Sequence, residues 1–238
     1  MRKTPLENGE YYHIFNRGVN KSVIIQNDAD FRRFYESLYL FNDSKYRRID
    51  GRRIDEMVQM SSWKDIGDDR DHLVKINAYC LLDNHFHLFL RQIKENGIST
   101  FMQQIGKGYA QYYNKKYNRT GPLFEGRFKS VHVKNEGQFY HLSRYIHLNA
   151  LDGVSPEWRE GRVVDWDKAI TALESYQWSS YGVYVSGTEE LPVVDISFID
   201  DNFGEYKYQD FMKEWSEREL AILPLIGTTV RCPDQRQG

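Results

Sequence analysis

Apolar and polar positions alternate at a period of two along two neighbouring stretches of the chain. Val74, Ile76, Ala78, Cys80 and Leu82 fall on one side of an extended segment. His85 to Gln92 returns after Asp83-Asn84, residue types suited to a tight turn. Together they predict a hairpin with His85 beside its turn. Tyr11 to Asn16, ending at Arg17-Gly18, predicts a first strand, and Arg127 to Val133 a further one. Elsewhere the period lengthens to three and four. Phe31, Phe34, Tyr35, Leu38 and Phe41 predict a helix capped by Asp28 or Asp30. Phe101, Met102, Ile105, Tyr109 and Tyr112 predict another, opened by Ser99 or Thr100 with Gln103 as the capping-box partner of Thr100, and ending at Asn118-Arg119-Thr120-Gly121. Asn135, with Gln138 three residues on, opens a third helix whose buried stripe is Phe139, Leu142 and Ile146.

Between the first helix and the hairpin, residues 43–72 are polar and mixed in charge, and they are expected to form a long, partly mobile insertion. Beyond Asn149 the pattern weakens. Short helices are expected around Tyr176 to Tyr181 and over residues 207–220, with a loose tail from Thr228 to Gly238. The chain therefore divides into a mixed domain over 1–152 and a mostly helical extension over 153–238.

An apolar content of 40%, with 17 Tyr and 13 Phe, suffices for a sizeable core, while the apolar runs are too short to span a bilayer. The first residues lack the apolar segment of a signal peptide. Two cysteines, Cys80 and Cys232, imply no disulfide framework, so a reducing cytosol is the expected setting. The net charge of −2 argues against a general polyanion binder, but its distribution changes the picture. From Lys107 to Lys134 seven cations against one acid leave +6, and from Glu189 to Glu219 ten acids against three cations leave −7. The basic stretch is able to bind phosphates; it is equally an ordinary solvated face balanced by its acidic neighbour.

His85 and His87 lie one residue apart on a strand, so both imidazoles project to one side while Phe86 and Leu88 go to the other. Two ring nitrogens side by side supply half of a metal site; buried structural histidines produce the same pattern. The remaining histidines (His13, His72, His132, His141 and His147) lack the spacing of a zinc framework. Imidazoles completed by oxygen ligands suit Mg²⁺ or Mn²⁺, among other divalent ions. On the third helix, His141, Tyr145 and Asn149 recur at steps of four, so Tyr145 and Asn149 are neighbours on one face. A neutral phenol is a poor nucleophile, but it can attack a phosphodiester whose non-bridging oxygen is held by a metal. Spacing alone does not choose among 17 tyrosines, most of which are expected to pack in the core.

Four blocks resemble the motifs of one family, in that family's order, over roughly residues 8–185. Asn84-His85-Phe86-His87-Leu88 resembles the HUH motif (histidine, hydrophobic residue, histidine) of single-tyrosine transposases. Gly121-Pro122-Leu123-Phe124-Glu125-Gly126-Arg127-Phe128-Lys129-Ser130 resembles the glycine and aromatic signature that follows it. Arg144-Tyr145-Ile146-His147-Leu148-Asn149 resembles the tyrosine-helix motif of the REP-associated tyrosine transposases, and Tyr11 to Gly18 their opening strand. The resemblance implies an α+β fold with a ferredoxin-like HUH core, its central antiparallel sheet flanked by helices. It implies that Tyr145 attacks DNA to give a 5′-phosphotyrosine link and a free 3′-hydroxyl, and that His85 and His87 hold Mg²⁺ or Mn²⁺ with Asn149 as third ligand. Its implied partners are single strands bearing hairpins, from repetitive palindromic elements, with homodimerisation left open and no membrane. Its setting would be the bacterial cytoplasm, at the nucleoid when bound. Arg17, Arg119, Arg127 and Lys129 are the expected phosphate contacts. Two departures stand out: Ala150 follows Asn149 where the family motif continues to proline, and the 43–72 insertion is long.

Two other function classes compete. A domesticated module would recognise structured nucleic acid without cutting, but such a module needs none of His85, His87 and Tyr145. A small-molecule metallohydrolase lacks a carboxylate base beside the histidine pair other than Asp83, which is more simply a turn residue.

Overall fold

Strand residues with apolar side chains on both faces need a cover on both faces, and this sheet has one. In the computed structural model, which describes residues 5–45, 70–203 and 207–215 apart from the side chain of Glu136, β1 (Tyr11–Arg17), β2 (Val74–Leu81), β3 (His85–Gln92) and β4 (Lys129–His132) form a single antiparallel sheet in the order β2-β3-β1-β4. Helix α1 (Asp28–Leu40) links β1 to β2, and α2 (Gly97–Lys116) links β3 to β4. This strand-helix-strand, strand-helix-strand path is the ferredoxin-like arrangement. It is followed by α3 (Glu136–Leu148), α4 (Trp166–Ser175), α5 (Tyr181–Ser186), α6 (Ile196–Phe203) and α7 (Tyr208–Lys213), with single 3₁₀ turns at Asn149–Leu151 and Pro156–Glu160. The fold is α+β, as the sequence implies.

Helices α1 and α2 cover one face: the Phe34 ring lies 5.1 Å from Phe86 and 4.8 Å from Tyr109. Helices α3 and α6 cover the other, where Phe139 and Phe198 lie 5.6 and 5.4 Å from Phe89. The C-terminal helices are held to α3 by polar as well as apolar contacts. His147, wholly buried, bonds the Tyr208 hydroxyl at 2.8 Å through Nδ1 and the Ser180 hydroxyl at 2.7 Å through Nε2. The Arg144 guanidinium lies 4.2 Å above the Phe211 ring and donates to the Phe211 carbonyl.

Several local details depart from the sequence expectations, each for a physical reason. Neither Asp28 nor Asp30 caps α1. Asn27 does, accepting from the Asp30 amide at 3.2 Å. Asp30 instead turns inward to meet Lys116 and the hydroxyls of Tyr112 and Tyr117. Helix α2 begins at Gly97, before Ser99 and Thr100, after Asn96 in the left-handed conformation (φ 58°) with no side-chain cap. Only glycine fits there, because a Cβ at position 97 would stand 2.2 Å from the Leu73 carbonyl oxygen. Strand β2 carries a bulge between Ile76 and Ala78. The extra residue switches faces: Val74 and Ile76 stand opposite Gln92 and Leu90, whereas Ala78 and Cys80 stand opposite Phe89 and His87. The alternation from Val74 to Leu82 therefore does not keep to one face.

Strand β4 is shorter than expected, four residues from Lys129. Helix α3 starts as expected, Asn135 accepting from the Gln138 amide at 2.9 Å, although the Gln138 side chain accepts from Lys134 rather than from Asn135. Its stripe is wider than Phe139, Leu142 and Ile146, because Tyr145 is buried too. The expected helix at 176–181 begins only at Tyr181. Before it the chain runs alongside β2, the Leu81 amide donating to the Trp178 carbonyl and the Ser180 amide to the Tyr79 carbonyl. Of the 43–72 insertion, residues 46–69 lie outside the described residues. Its two ends meet where the Ser44 amide donates to the Asp71 carbonyl at 2.9 Å. The helix expected over 207–220 is described only to Trp215, and Cys232 and the expected tail from Thr228 lie outside the described residues. Among the described residues no helix is long and apolar enough to cross a membrane.

Candidate functional site

Strand β3 sends His85 and His87 to the α3 side of the sheet and Phe86 to the α1 side, as period-two geometry requires. Both imidazoles are buried, 5% and 0% exposed. The Asn84 side-chain oxygen Oδ1 lies 2.5 Å from His85 Nδ1. An amide oxygen only accepts, so Nδ1 carries the proton and the lone pair sits on Nε2. His87 Nδ1 lies 2.8 Å from Nε2 of His13, a third wholly buried imidazole delivered by β1. That leaves Nε2 of both His85 and His87 buried without a hydrogen-bond partner. Burial disfavours the imidazolium form, lowering His13 to about 3, His85 to about 4 and His87 well below its ordinary value. Both rings are neutral; His85 offers the lone pair of Nε2, and His87 does so in the tautomer whose Nδ1 donates to His13, the form that ligates a metal.

Helix α3 lays Tyr145 against His87 of this pair and against His13. The phenol ring meets His13 and His87 edge-on, 5.9 Å from each centroid. It is 1% exposed, and burial pushes its hydroxyl up to about 12, against the opposing pull of the Arg159 guanidinium. One turn on, Asn149 donates from Nδ2 to the Tyr145 carbonyl at 2.8 Å, and its Oδ1 accepts from Arg159 at 3.2 Å. Arg159 is clamped in turn by Asp152, through Nε at 3.0 Å and Nη2 at 2.6 Å. Trp158, wholly buried, lies 5.5 Å from the Tyr145 ring and donates from Nε1 to Asp152 at 2.9 Å.

Two unpartnered imidazole nitrogens suit a divalent ion, with Asn149 Oδ1 as an oxygen donor on the neighbouring helix. No group of three or more His, Cys, Asp and Glu side chains with metal-binding geometry occurs among the described residues. Any ion held here would therefore draw its remaining ligands from the amide, from water or from the substrate.

The expected phosphate contacts are dispersed. Arg17, at the end of β1, is ion-paired with Glu125 of the glycine loop. Arg119, beyond α2, lies 5.5 Å over the Tyr113 ring. Lys129 is exposed on β4 and pairs across the ladder with Phe15, so it shares the histidine face. Arg127 is exposed and lines an open groove of about 1430 Å³ together with Lys107, Gln103, Phe124 and Phe128. That groove is also lined by Phe86, which places it on the opposite side of the sheet from His85 and His87. This groove and the chemistry are separate features.

Three participants carry no signal in the spacing of the chain. His13 reaches His87 only through the pairing of β1 with β3, in which Phe15 stands opposite His87. Asp152 and Arg159 lie in irregular chain after α3 and arrive because Trp158 buries its ring beside Tyr145.

The family model described as "Transposase IS200 like" matches residues 45–149, from the insertion through β2, β3, α2, β4 and α3 to Asn149. This stretch is similar to the IS200-like transposases. The matched residues take in His85, His87, Tyr145 and Asn149, whereas His13, Asp152 and Arg159 lie outside the IS200-like segment. No curated protein matches the chain. Among solved structures, one described as a REP-associated tyrosine transposase bound to a REP hairpin is similar, at 13% identity and a TM-score of 0.46, over 81% of this chain and 88% of that one.

Proposed function

We propose that this protein is a metal-dependent endonuclease and strand transferase acting on single-stranded DNA that carries hairpins, with Tyr145 as its nucleophile. The observation that carries the reading is the edge-on placement of the Tyr145 ring against His87, whose Nε2, like that of neighbouring His85, is buried without a hydrogen-bond partner. Its IS200-like segment agrees with this reading. His85 and His87, with Asn149, would hold Mg²⁺ or Mn²⁺, which when bound supplies the electrophilic activation of a phosphodiester.

The remaining work falls to the chain. The Tyr145 oxygen attacks phosphorus; a tyrosyl–phosphorus bond forms and the bond to the 3′-oxygen breaks. The phenol proton is given up to solvent, and the leaving 3′-oxygen takes a proton from solvent to become a hydroxyl. The His13–His87 hydrogen bond fixes the His87 ring with Nε2 toward the site. The rigidity of β3 and α3 holds nucleophile and ligands in register. Tyr145, His85 and His87 are almost wholly buried, so a strand reaches them only when chain around the site gives way.

That closure also favours a second reading, a module that binds structured nucleic acid without cutting it. One experiment separates the two. Hairpin-bearing single strands are incubated with the protein and Mn²⁺ or Mg²⁺, then resolved on a denaturing gel. A covalent protein–DNA species that disappears in Tyr145→Phe is expected. Binding with no adduct under either metal refutes the nuclease and leaves the module.

A further inference from the structure

Among the groups around Tyr145, Arg159 has contacts that a structural role leaves unexplained. The turn that carries it is already anchored without it. Trp158 is wholly buried, donates to Asp152, and its carbonyl accepts from Trp215 Nε1 at 2.8 Å. Arg159 stacks 4.6 Å over the Trp158 ring, and Asp152 holds one edge of the guanidinium through two hydrogen bonds. Those contacts suffice for a folded ion pair. The guanidinium nevertheless extends further, to the Tyr145 hydroxyl and to the Asn149 amide oxygen. Its side chain keeps 23% of its surface exposed, so a cation open to solvent on one side touches a buried nucleophile on the other.

The surroundings sharpen this. Arg17 is already ion-paired with Glu125. A phosphodiester brings one negative charge, and more charge gathers on its non-bridging oxygens as the tyrosyl oxygen approaches. A planar guanidinium pinned by a carboxylate on one edge and by an indole face beneath offers fixed donors to such oxygens.

We propose that Arg159 receives the phosphate that Tyr145 attacks, exchanging its contacts with the Tyr145 hydroxyl and Asn149 for the non-bridging oxygens while Asp152 keeps hold of its other edge. The proposal rests on the nuclease reading above and adds a residue that lies outside the family segment. Arg159 neither gives nor takes a proton in this role; it stabilises the charge as one phosphorus–oxygen bond forms and another breaks.

The test measures single-turnover adduct formation on hairpin-bearing single strands with Mn²⁺, and hairpin affinity by fluorescence anisotropy, for the wild type, Arg159→Ala, Arg159→Gln and Arg159→Lys. The adduct rate is expected to fall by about 100-fold or more in the Ala and Gln variants, in line with the loss of one charged donor to a transferring phosphoryl group. Hairpin affinity is expected to stay within about threefold, since Arg159 meets only the single phosphate under attack. Lysine restores only part of the rate, because a point charge does not reproduce the fork. Added ethylguanidinium speeds Arg159→Ala, which a purely structural residue would not permit.

Rates within about threefold of wild type overturn the proposal while leaving the Tyr145 reading intact. So does affinity that falls in step with rate, or a folded Arg159→Ala variant that ethylguanidinium fails to revive. If none of the three variants folds, Arg159 is a structural residue and the proposal is wrong. If the wild type forms no Tyr145-dependent adduct, the nuclease reading falls and this proposal falls with it.

Discussion

Lowering the pH from 7.5 to about 5.5 should strip this fold of much of its stability, through four histidines that fold neutral. His13 and His147 sit near 3, His85 near 4 and His87 well below its ordinary value, all through burial. In the unfolded chain each would titrate near 6.5. Depressed folded values mean that the unfolded state takes up the protons first. The neutral histidines therefore cost nothing above about pH 6.5, and stability drains away as pH falls below it. At pH 5.5 each contributes a loss of about 1.4 kcal/mol, and the four together on the order of 6 kcal/mol. Glu189 opposes them: burial raises its carboxyl to about 7, so the folded state gains a proton over the same interval and recovers about 2 kcal/mol. A net loss of about 4 kcal/mol remains, a large part of the 5–15 kcal/mol typical of a domain. Urea unfolding followed by circular dichroism at both pH values, in a chelating buffer, measures it. His147→Asn, remote from the candidate ligands, should shrink the pH-dependent loss by about 1.4 kcal/mol whatever it does to stability at pH 7.5. An unfolding free energy that is flat across this interval would refute the reasoning.

Two further substitutions test other parts of the account. Gly97→Ala forces a Cβ to within 2.2 Å of the Leu73 oxygen, which also accepts from Ile93 and Lys94, so a loss of about 2 kcal/mol is expected in the same urea assay; a change under about 0.5 kcal/mol would mean that the β3–α2 junction gives way easily. His87→Ala should abolish the covalent DNA species on the denaturing gel yet leave hairpin affinity within about threefold, and equal losses of both would remove His87 from the chemistry.

The central hairpin was legible because its two signals agree. The apolar run up to Leu82 and the turn residues Asp83-Asn84 place His85 at the start of the returning strand, where it is. Tyr145 and Asn149 were legible as helix neighbours because Asn135 caps α3 and fixes its phase. What stayed hidden depends on contacts distant in sequence. The bulge after Ile76 reflects how β2 must bend against β3, and no local propensity marks it. His13 looks like one more strand residue until the register of β1 against β3 brings it to His87. Arg159 sits in a stretch without periodicity, and only the burial of Trp158 carries it back to α3. The cap on α1 shows the same limit on a small scale: Asp28, Asp30 and Asn27 are all competent, and the choice fell to Asn27 because Tyr112, Lys116 and Tyr117 on α2 claim Asp30.

The outward rim of β2 is already spoken for. Carbonyls of Ile76, Asn77 and Tyr79 accept from Asp195, Tyr184 and Ser180, and the amides of Tyr79 and Leu81 donate to Ser180 and Trp178. A sheet margin so fully engaged offers no template to an incoming extended chain. Any lengthening of this sheet, by a second molecule or by a bound peptide, has to begin past the four residues of β4 on the opposite margin.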